Sequence, residues 1–245
     1  MPYPKPWMAL PRTGAVVQAG GRPINYYDAP RPEVAALVPP EARRVLDVGC
    51  GAGALGRLLQ ERGHQVTGVE LVPEAAYAAR EFLDQVAIAD VETAGLPPGP
   101  FDAIIFADLL EHLTDPWRVL REASAGLAAG GCVVASIPNV QNLDVLWRLL
   151  RGRWDYRDRG LLDRGHLRFF TMQTIRDLFA QAGLEIVHVG QHYGRSFWRE
   201  LACVLTGGRA RAFFTRQYLV VGRKKQAKTL SFGYNGNDQG EGEKV

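Results

Sequence analysis

Residues 47–53 read Asp-Val-Gly-Cys-Gly-Ala-Gly and lie between an apolar run and a helical one. Glycines at 49, 51 and 53 let a backbone turn tightly and come against a ligand with no Cβ in the way. With Gly56 the same residues also spell Gly51-x-Gly53-x-x-Gly56, a dinucleotide pattern, so a nicotinamide-dependent oxidoreductase is a rival reading. Charge separates the two. A pyrophosphate is held by the bare N–H groups and positive end of a helix N-terminus, whereas Asp47 sets a carboxylate at the strand's exit. A ligand carrying a sulfonium and an ammonium is attracted there, and S-adenosylmethionine carries both. The plainer alternative is an Asp47 that only bonds its own turn. Glu70 ends the next apolar run, where a carboxylate can accept both hydroxyls of a ribose; this marks an adenosine without saying which one. Asp90-Val91 closes a third run, the acid suited to an adenine amino group and the valine to the face of its ring.

Methyl transfer from a sulfonium is an in-line displacement, and holding acceptor, carbon and sulfur in line supplies up to about 7–11 kcal/mol. An oxygen acceptor must also lose a proton, for which a histidine, with its ordinary pKa of about 6.5, is the natural base. His166 and His112 are the candidates, each with a structural alternative in which the ring merely bonds a backbone carbonyl. Arg164 and Arg168 flank His166, where they would stabilise an oxyanion; together with Asn139 they are assigned to the acceptor side. His64 is given no role, and His188 and His192 read as packing or exposed. Trp154 and Tyr156 either stack on an acceptor or anchor their loop. Cys50, Cys132 and Cys203 are too few and too scattered for a disulfide frame or a zinc site, and no metal is expected.

These residues need a frame that brings strand ends together. From residue 44 the pattern alternates: β-rich runs at 44–48, 65–70, 86–91, 101–107 and 131–137, with helical stretches at 54–62, 74–82 and 117–128. Nearly continuous apolar runs such as AIIFA and CVVASI indicate strands buried on both faces, and β-α alternation indicates a parallel, doubly wound sheet. Ligands of such sheets sit beyond the strand C-termini at the switch point beside the first strand. After Pro138 the alternation breaks. Residues 139–170 read as a long insertion, 171–182 as a helix capped by Thr171, and 184–189 and 217–222 as two late strands. An amphipathic connection around Phe197, Trp198, Leu201 and Val204 joins them, and such a pair suits an antiparallel edge. The expected divisions are an arm or cover at 1–30 holding six prolines, a main domain at 31–225 with acceptor-side insertions at 139–170 and 194–214, and a disordered tail at 226–245.

Composition bounds the rest. At 245 residues, 47% apolar and 22% charged, one soluble globular domain is the expectation. No apolar run approaches the roughly 20 residues of a spanning helix, and prolines occupy the place of a signal-peptide core, so a reducing cytoplasm is the simplest location. Net charge is only +3, yet residues 148–168 hold seven arginines against three aspartates, and 195–225 hold eight Lys or Arg against Glu200. That asymmetry suggests an anionic acceptor or a peripheral contact with an anionic surface. The bland alternative is a set of solvated arginines. No DNA partner is expected, RNA is not favoured for want of a binding module, and the oligomeric state is left open.

The motifs DVGCGAG (47–53), GVEL (68–71), ADVE (89–92), FDAIIFADLLEHLTDP (101–116) and GGCVVASIPN (130–139) together resemble the class I S-adenosylmethionine-dependent methyltransferases. The likeness is to the small-molecule group that includes ubiquinone-biosynthesis O-methyltransferases and bacterial enzymes encoded near glycan genes. LLDRGHLRFFT (161–171) and the arm's Tyr26-Tyr27 are similar too; beyond residue 190 the likeness is thin. It implies a Rossmann-like α/β fold with a seven-stranded, mostly parallel sheet and an antiparallel C-terminal strand. It also implies S-adenosyl-L-methionine as cofactor, held by Asp47, Gly49, Cys50, Gly51, Gly53, Glu70, Leu71, Asp90, Val91, Ala107, Asp108 and Leu109, with Tyr26 or Tyr27 lying over it. The acceptor is then a small molecule, with oxygen in a sugar, quinone or phenol the leading class. A non-catalytic or RNA-directed adenosylmethionine-binding protein is the further alternative.

Overall fold

A computed structural model describes residues 30–192 and 203–224, with the backbone of two short paired segments, Gln18–Ala19 and Arg22–Pro23. Tyr26, Tyr27, most of the arm, Phe197, Trp198, Leu201 and the tail lie outside the described residues.

Seven strands form one sheet: β1 (Arg44–Val48), β2 (Gln65–Glu70), β3 (Gln85–Ile88), β4 (Phe101–Ala107), β5 (Leu127–Pro138), β6 (Leu184–His192) and β7 (Gln217–Lys224). Their order is β3-β2-β1-β4-β5-β7-β6. The first five are mutually parallel, and β7 runs antiparallel to both its neighbours, β5 and β6. The switch point therefore falls between β1 and β4, as the glycine turn after β1 requires.

Alternation along each strand builds two cores. Leu46, Val48, Ile104, Phe106, Val133 and Ala135 face one side with α5 (Pro116–Gly126) and α7 (Met172–Gln181). Val45, Ala103, Ile105, Cys132 and Val134 face the other, under α1 (Pro32–Ala35), α2 (Ala54–Gln60) and α3 (Pro73–Ala79). A strand sandwiched this way must be apolar at successive positions, which is why AIIFA and CVVASI read as continuous runs. Thr171 caps α7 through a reciprocal pair with Thr174: its hydroxyl accepts from the Thr174 amide, and its own amide donates to the Thr174 hydroxyl.

Two segments differ from expectation. Pairing of the third strand stops at Ile88, because the Asp90 carboxylate accepts from the Glu92 amide at 2.8 Å and starts a short helix, α4 (Val91–Ala94). Val91 is thus the first residue of a helix, not the last of a strand. Residues 139–170 contain a helix, α6 (Leu143–Leu150), N-capped by Asn142. The chain leaves β5 and returns beside it: Val140 donates to the Phe170 carbonyl, and Asn139 forms a bridge to Phe170.

Candidate functional site

The glycine turn hangs on the second strand. Gly49 and Cys50 both donate their amides to the Val69 carbonyl, at 2.8 and 3.1 Å. Gly49 has φ of +75°, and a Cβ there would stand 3.1 Å from the Leu109 side chain. Gly53 has φ of +88°, and a Cβ there would meet the Ala79 backbone at 3.0 Å, so this turn can press against α3 only as glycine. What results is a cavity of about 730 Å³ at the C-terminal ends of the parallel strands.

Asp47 opens onto the cavity from the tip of β1. It is 1% exposed, and neither carboxylate oxygen has a hydrogen-bond partner among the described residues. Burial, with a smaller contribution from the Glu70 charge, pushes its pKa from the usual 3.8 up to about 7. Glu70 accepts from the Gly51 amide at 2.9 Å through one oxygen and from the Val72 amide at 2.9 Å through the other. Burial raises its pKa against the lowering pull of those amides, and each oxygen keeps a lone pair for a ligand hydroxyl. The Gly51 N–H that a pyrophosphate would need is therefore given to a carboxylate, with a second carboxylate behind it. Burial also raises the Cys50 thiol well above its ordinary range, which removes it as a nucleophile near neutrality.

The cavity is lined by Asp47, Gly49, Cys50, Gly51, Glu70, Leu71, Asp90, Val91, Ala107, Asp108 and Leu109 from the expected cofactor set. Gly53 does not line it; its place is in the turn beneath. Of the residues expected to act on the acceptor, His112 and His166 line it, whereas Asn139, Arg164 and Arg168 do not. Asn139 is fully buried and donates to the Ala212 and Thr215 carbonyls at 2.8 and 2.9 Å, closing the chain over β5. Arg164 sits in solvent against Asp158, and Arg168 reaches the Thr114 carbonyl and the Trp117 ring. The arginine cluster is largely turned to its own neighbours: Arg148 pairs with Asp144 and Asp155, Arg153 with Asp155, and Arg151 stacks on Trp147. Of the seven, Arg159 alone lines the cavity. Trp154 packs edge-on against Phe169.

The two histidine rings stand 4.8 Å apart, nearly perpendicular. Nδ1 of His112 lies 2.9 Å from the Gly165 carbonyl, and Nδ1 of His166 lies 3.3 Å from the Leu161 carbonyl. A carbonyl only accepts, so Nδ1 carries the hydrogen in both rings, and Nε2 of each neutral imidazole holds the lone pair. Beneath them is Glu111, 1% exposed, whose pKa burial pushes up to about 8.

Several lining residues were not singled out from the sequence: Arg31, Glu111, Asp163, Arg216 and Gln217; His192, read from the sequence as packing or exposed, also lines the cavity. Arg31 and Asp108 are the two non-glycine residues with positive φ among those described, at 45° and 55°, and they pair with each other. Gln217 joins both side chains, and the Ser136 hydroxyl donates to Asp108 at 3.0 Å. Glu111 lay within a quoted motif, but nothing in its local pattern marked it as buried. The others come from remote chain segments.

A family model described as "Methyltransferase domain" matches residues 24–189. A ubiquinone biosynthesis O-methyltransferase of Xanthomonas campestris pv. campestris is 37% identical over 142 residues, 51% of this chain and 59% of the relative's own length. Among solved structures, a SAM-dependent methyltransferase from Archaeoglobus fulgidus superposes with TM-score 0.61 at 18% identity, over 80% of this chain and 95% of that one. An S-adenosylmethionine-dependent methyltransferase from Mesorhizobium loti gives 0.57 at 20% identity, over 80% and 98%.

Proposed function

This chain belongs to the methyltransferase-domain family, and on that basis we propose that it moves the methyl group of S-adenosyl-L-methionine to an oxygen of a small molecule. The observation that carries the reading is Asp47, a buried carboxylate with no partner among the described residues, turned to a cavity beside Glu70. A ligand ammonium satisfies it; a phosphate does not. The resemblance of the relatives, O-methyltransferases of ubiquinone biosynthesis by name, supports oxygen as the acceptor and a sugar, quinone or phenol as its class.

When bound, the cofactor supplies a sulfonium-activated methyl group, so the protein need not create an electrophile. Asp47 takes the ammonium and Glu70 the ribose hydroxyls, while the Gly51 and Val72 amides keep Glu70 in place. Asp90, one oxygen of which accepts from the Glu92 amide, would hold the adenine amino group through its other oxygen, and Val91 would pack on the ring. On the acceptor side Nε2 of His166, or of His112, receives the acceptor's proton, each ring being held by its own backbone carbonyl. Arg159 and Arg216 at the same cavity suit an acceptor with an anionic group, whereas Arg31 is already paired with Asp108 and Glu33. The segment 139–170, which brings Arg159, Leu161, Asp163 and His166 to the cavity, acts as a cover; its protection from protease by the homocysteine product is the expected sign.

Calorimetry tests the core of the reading. S-adenosylhomocysteine should bind and NAD(P) should bind poorly; tighter binding of NAD than of either sulfur ligand would sink it.

A further inference from the structure

Charge divides the cavity. At the tips of the first three strands it is acidic, with Asp47, Glu70 and Asp90. At the opposite end, beyond β5, the end of β6 brings His192, the residue before β7 is Arg216, and the segment 139–170 adds Arg159. The acids that reach this end are already engaged or uncharged near neutrality. Glu33 and Asp108 share the Arg31 guanidinium, Asp163 accepts from the Gly165 amide at 2.7 Å, and burial pushes Glu111 up to about 8. An excess of positive charge is left in a concave wall, where low-dielectric surroundings strengthen its pull on an anion.

Arg216 combines a fixed backbone with an unengaged side chain. Its amide donates to the His192 carbonyl at 2.9 Å, and its carbonyl accepts from the Asn139 amide at 2.9 Å. The residues just before it are clamped as well: the Asn139 side chain donates to the Ala212 and Thr215 carbonyls, and that of Asn142 to the Thr215 carbonyl at 3.1 Å, both asparagines being buried. The Arg216 guanidinium, by contrast, is exposed at the cavity and makes no hydrogen bond or ion pair among the described residues. Strand order sets the span it serves. β7 is separated from β4 by β5 alone, two strand spacings or about 10 Å. The Gln217 side chain already crosses that gap to Asp108. A ring-sized ligand seated over Ala107, Asp108 and Pro138 therefore has its far end at Arg216.

Resting on the reading of this cavity as a methyl-transfer site, we propose that Arg216 is an anion hook that selects the acceptor: a molecule carrying, across a ring from the hydroxyl that is methylated, a carboxylate or phosphate that the guanidinium grips through paired N–H donors. Asn139 is a positioning residue that acts through Arg216, which accounts for a fully buried asparagine that does not itself line the cavity. The class of acceptor narrows from phenols and sugars at large to hydroxylated acids and phosphates. The division of charge also sorts the two substrates, drawing a cationic cofactor to the acidic end and an anionic acceptor to the basic one.

The test uses the full chain saturated with S-adenosylhomocysteine and two matched pairs of probes, a dihydroxybenzoate against its amide and phenyl phosphate against phenol, each titrated by calorimetry. The charged member of at least one pair should bind about 10-fold or more tightly than its uncharged counterpart, the effect of a charge-assisted hydrogen bond, and the pair with the larger ratio tells carboxylate from phosphate. Added salt should reduce the ratio. Arg216→Gln should bring it close to unity and Arg216→Lys should keep part of it, while S-adenosylhomocysteine binds both variants as it binds the parent and reports that they are folded. Asn139→Ala should lower the ratio as well as the melting temperature; a lower melting temperature with the ratio intact refutes its action through Arg216. Equal or undetectable binding of the charged and uncharged probes overturns the hook, as does a preference that survives Arg216→Gln. The failures are separable: a protein that binds S-adenosylhomocysteine but does not prefer the anions refutes this inference alone, and one that does not bind S-adenosylhomocysteine refutes the methyltransferase reading.

Discussion

Replacing Asp47 with asparagine should make the unliganded protein more stable at pH 8 and at the same time weaken its hold on the cofactor. Asp47 is pushed from 3.8 to about 7 mainly by burial. At roughly 1.4 kcal/mol per pH unit, keeping it ionised costs the empty fold about 4 kcal/mol. A raised carboxylate pKa means that the folded state binds the proton more tightly than the unfolded chain. The cost is absent near pH 4, grows as pH rises towards 7, and is full above 7. Asparagine removes the charge but leaves a buried amide short of partners, a penalty of about 1–3 kcal/mol. The net gain at pH 8 is then about 1–3 kcal/mol, several degrees of melting temperature at about 2–4 °C per kcal/mol for a chain of this size. The gain should shrink as pH falls below 7 and be lost between about pH 6 and about pH 4.5. With S-adenosylhomocysteine the order inverts, because the ammonium discharges the cost only in the parent protein, and parent affinity should itself fall up to tenfold per pH unit below 7. Thermal melts at pH 5 to 8, with and without ligand, provide the measurement. An asparagine variant that melts lower than the parent at pH 8 without ligand, yet binds with parental affinity, would refute the idea of an uncompensated charge awaiting a cation.

Glu70→Ala should weaken S-adenosylhomocysteine binding by about 1–3 kcal/mol, the usual consequence of removing a buried hydrogen-bond partner, as read by calorimetry. Gly53→Ala forces a side chain into left-handed backbone against Ala79; the strain alone is about 1–2 kcal/mol, visible as a lowered melting temperature. His166→Ala should reduce turnover of an identified acceptor by about 10²–10⁴-fold with cofactor affinity unchanged; a joint fall of affinity and melting temperature would instead mark His166 as a fastener of its loop.

The fold was legible where residues act through their neighbours in sequence. Strands buried on both faces must be apolar at successive positions, so 101–107 and 131–137 announced themselves, and the glycine turn after 44–48 located the switch point. The helix at 171–181 was readable from its cap. Competition between local bonds decided the misread boundary: 86–91 looks like a strand by composition, but the Asp90 side chain captures the Glu92 amide and turns the chain into a helix. The helix within 139–170 escaped notice because Leu143, Trp147, Leu149 and Leu150 remain exposed on it. Its eight residues make little more than two turns, too short a window for a helical period to stand out from a run of leucines.

The two halves of the cavity differ in legibility for a physical reason. A cofactor gripped at the tips of consecutive parallel strands meets short contiguous stretches, one per strand. Asp47, Glu70 and Asp90 therefore stand at positions that counting alone can find. The opposite wall, proposed to meet the acceptor, is assembled differently. Glu111 is buried, with its Oε2 lacking a hydrogen-bond partner among the described residues, where the loop of 161–168 folds over the turn at 110–112 and hydrogen-bonds its backbone carbonyl. Arg31 faces Asp108 across 77 residues of chain, and Gln217 reaches both from the one antiparallel strand. None of these meetings leaves a periodic trace. The same physics accounts for Arg164 and Arg168, which flank His166 in sequence but turn to Asp158 and Thr114. Adjacency along an irregular loop says little about direction, since each residue there takes its own φ and ψ. The groups that meet His166 come from elsewhere: the neighbouring ring of His112, and the carboxylate of Glu111 beneath it.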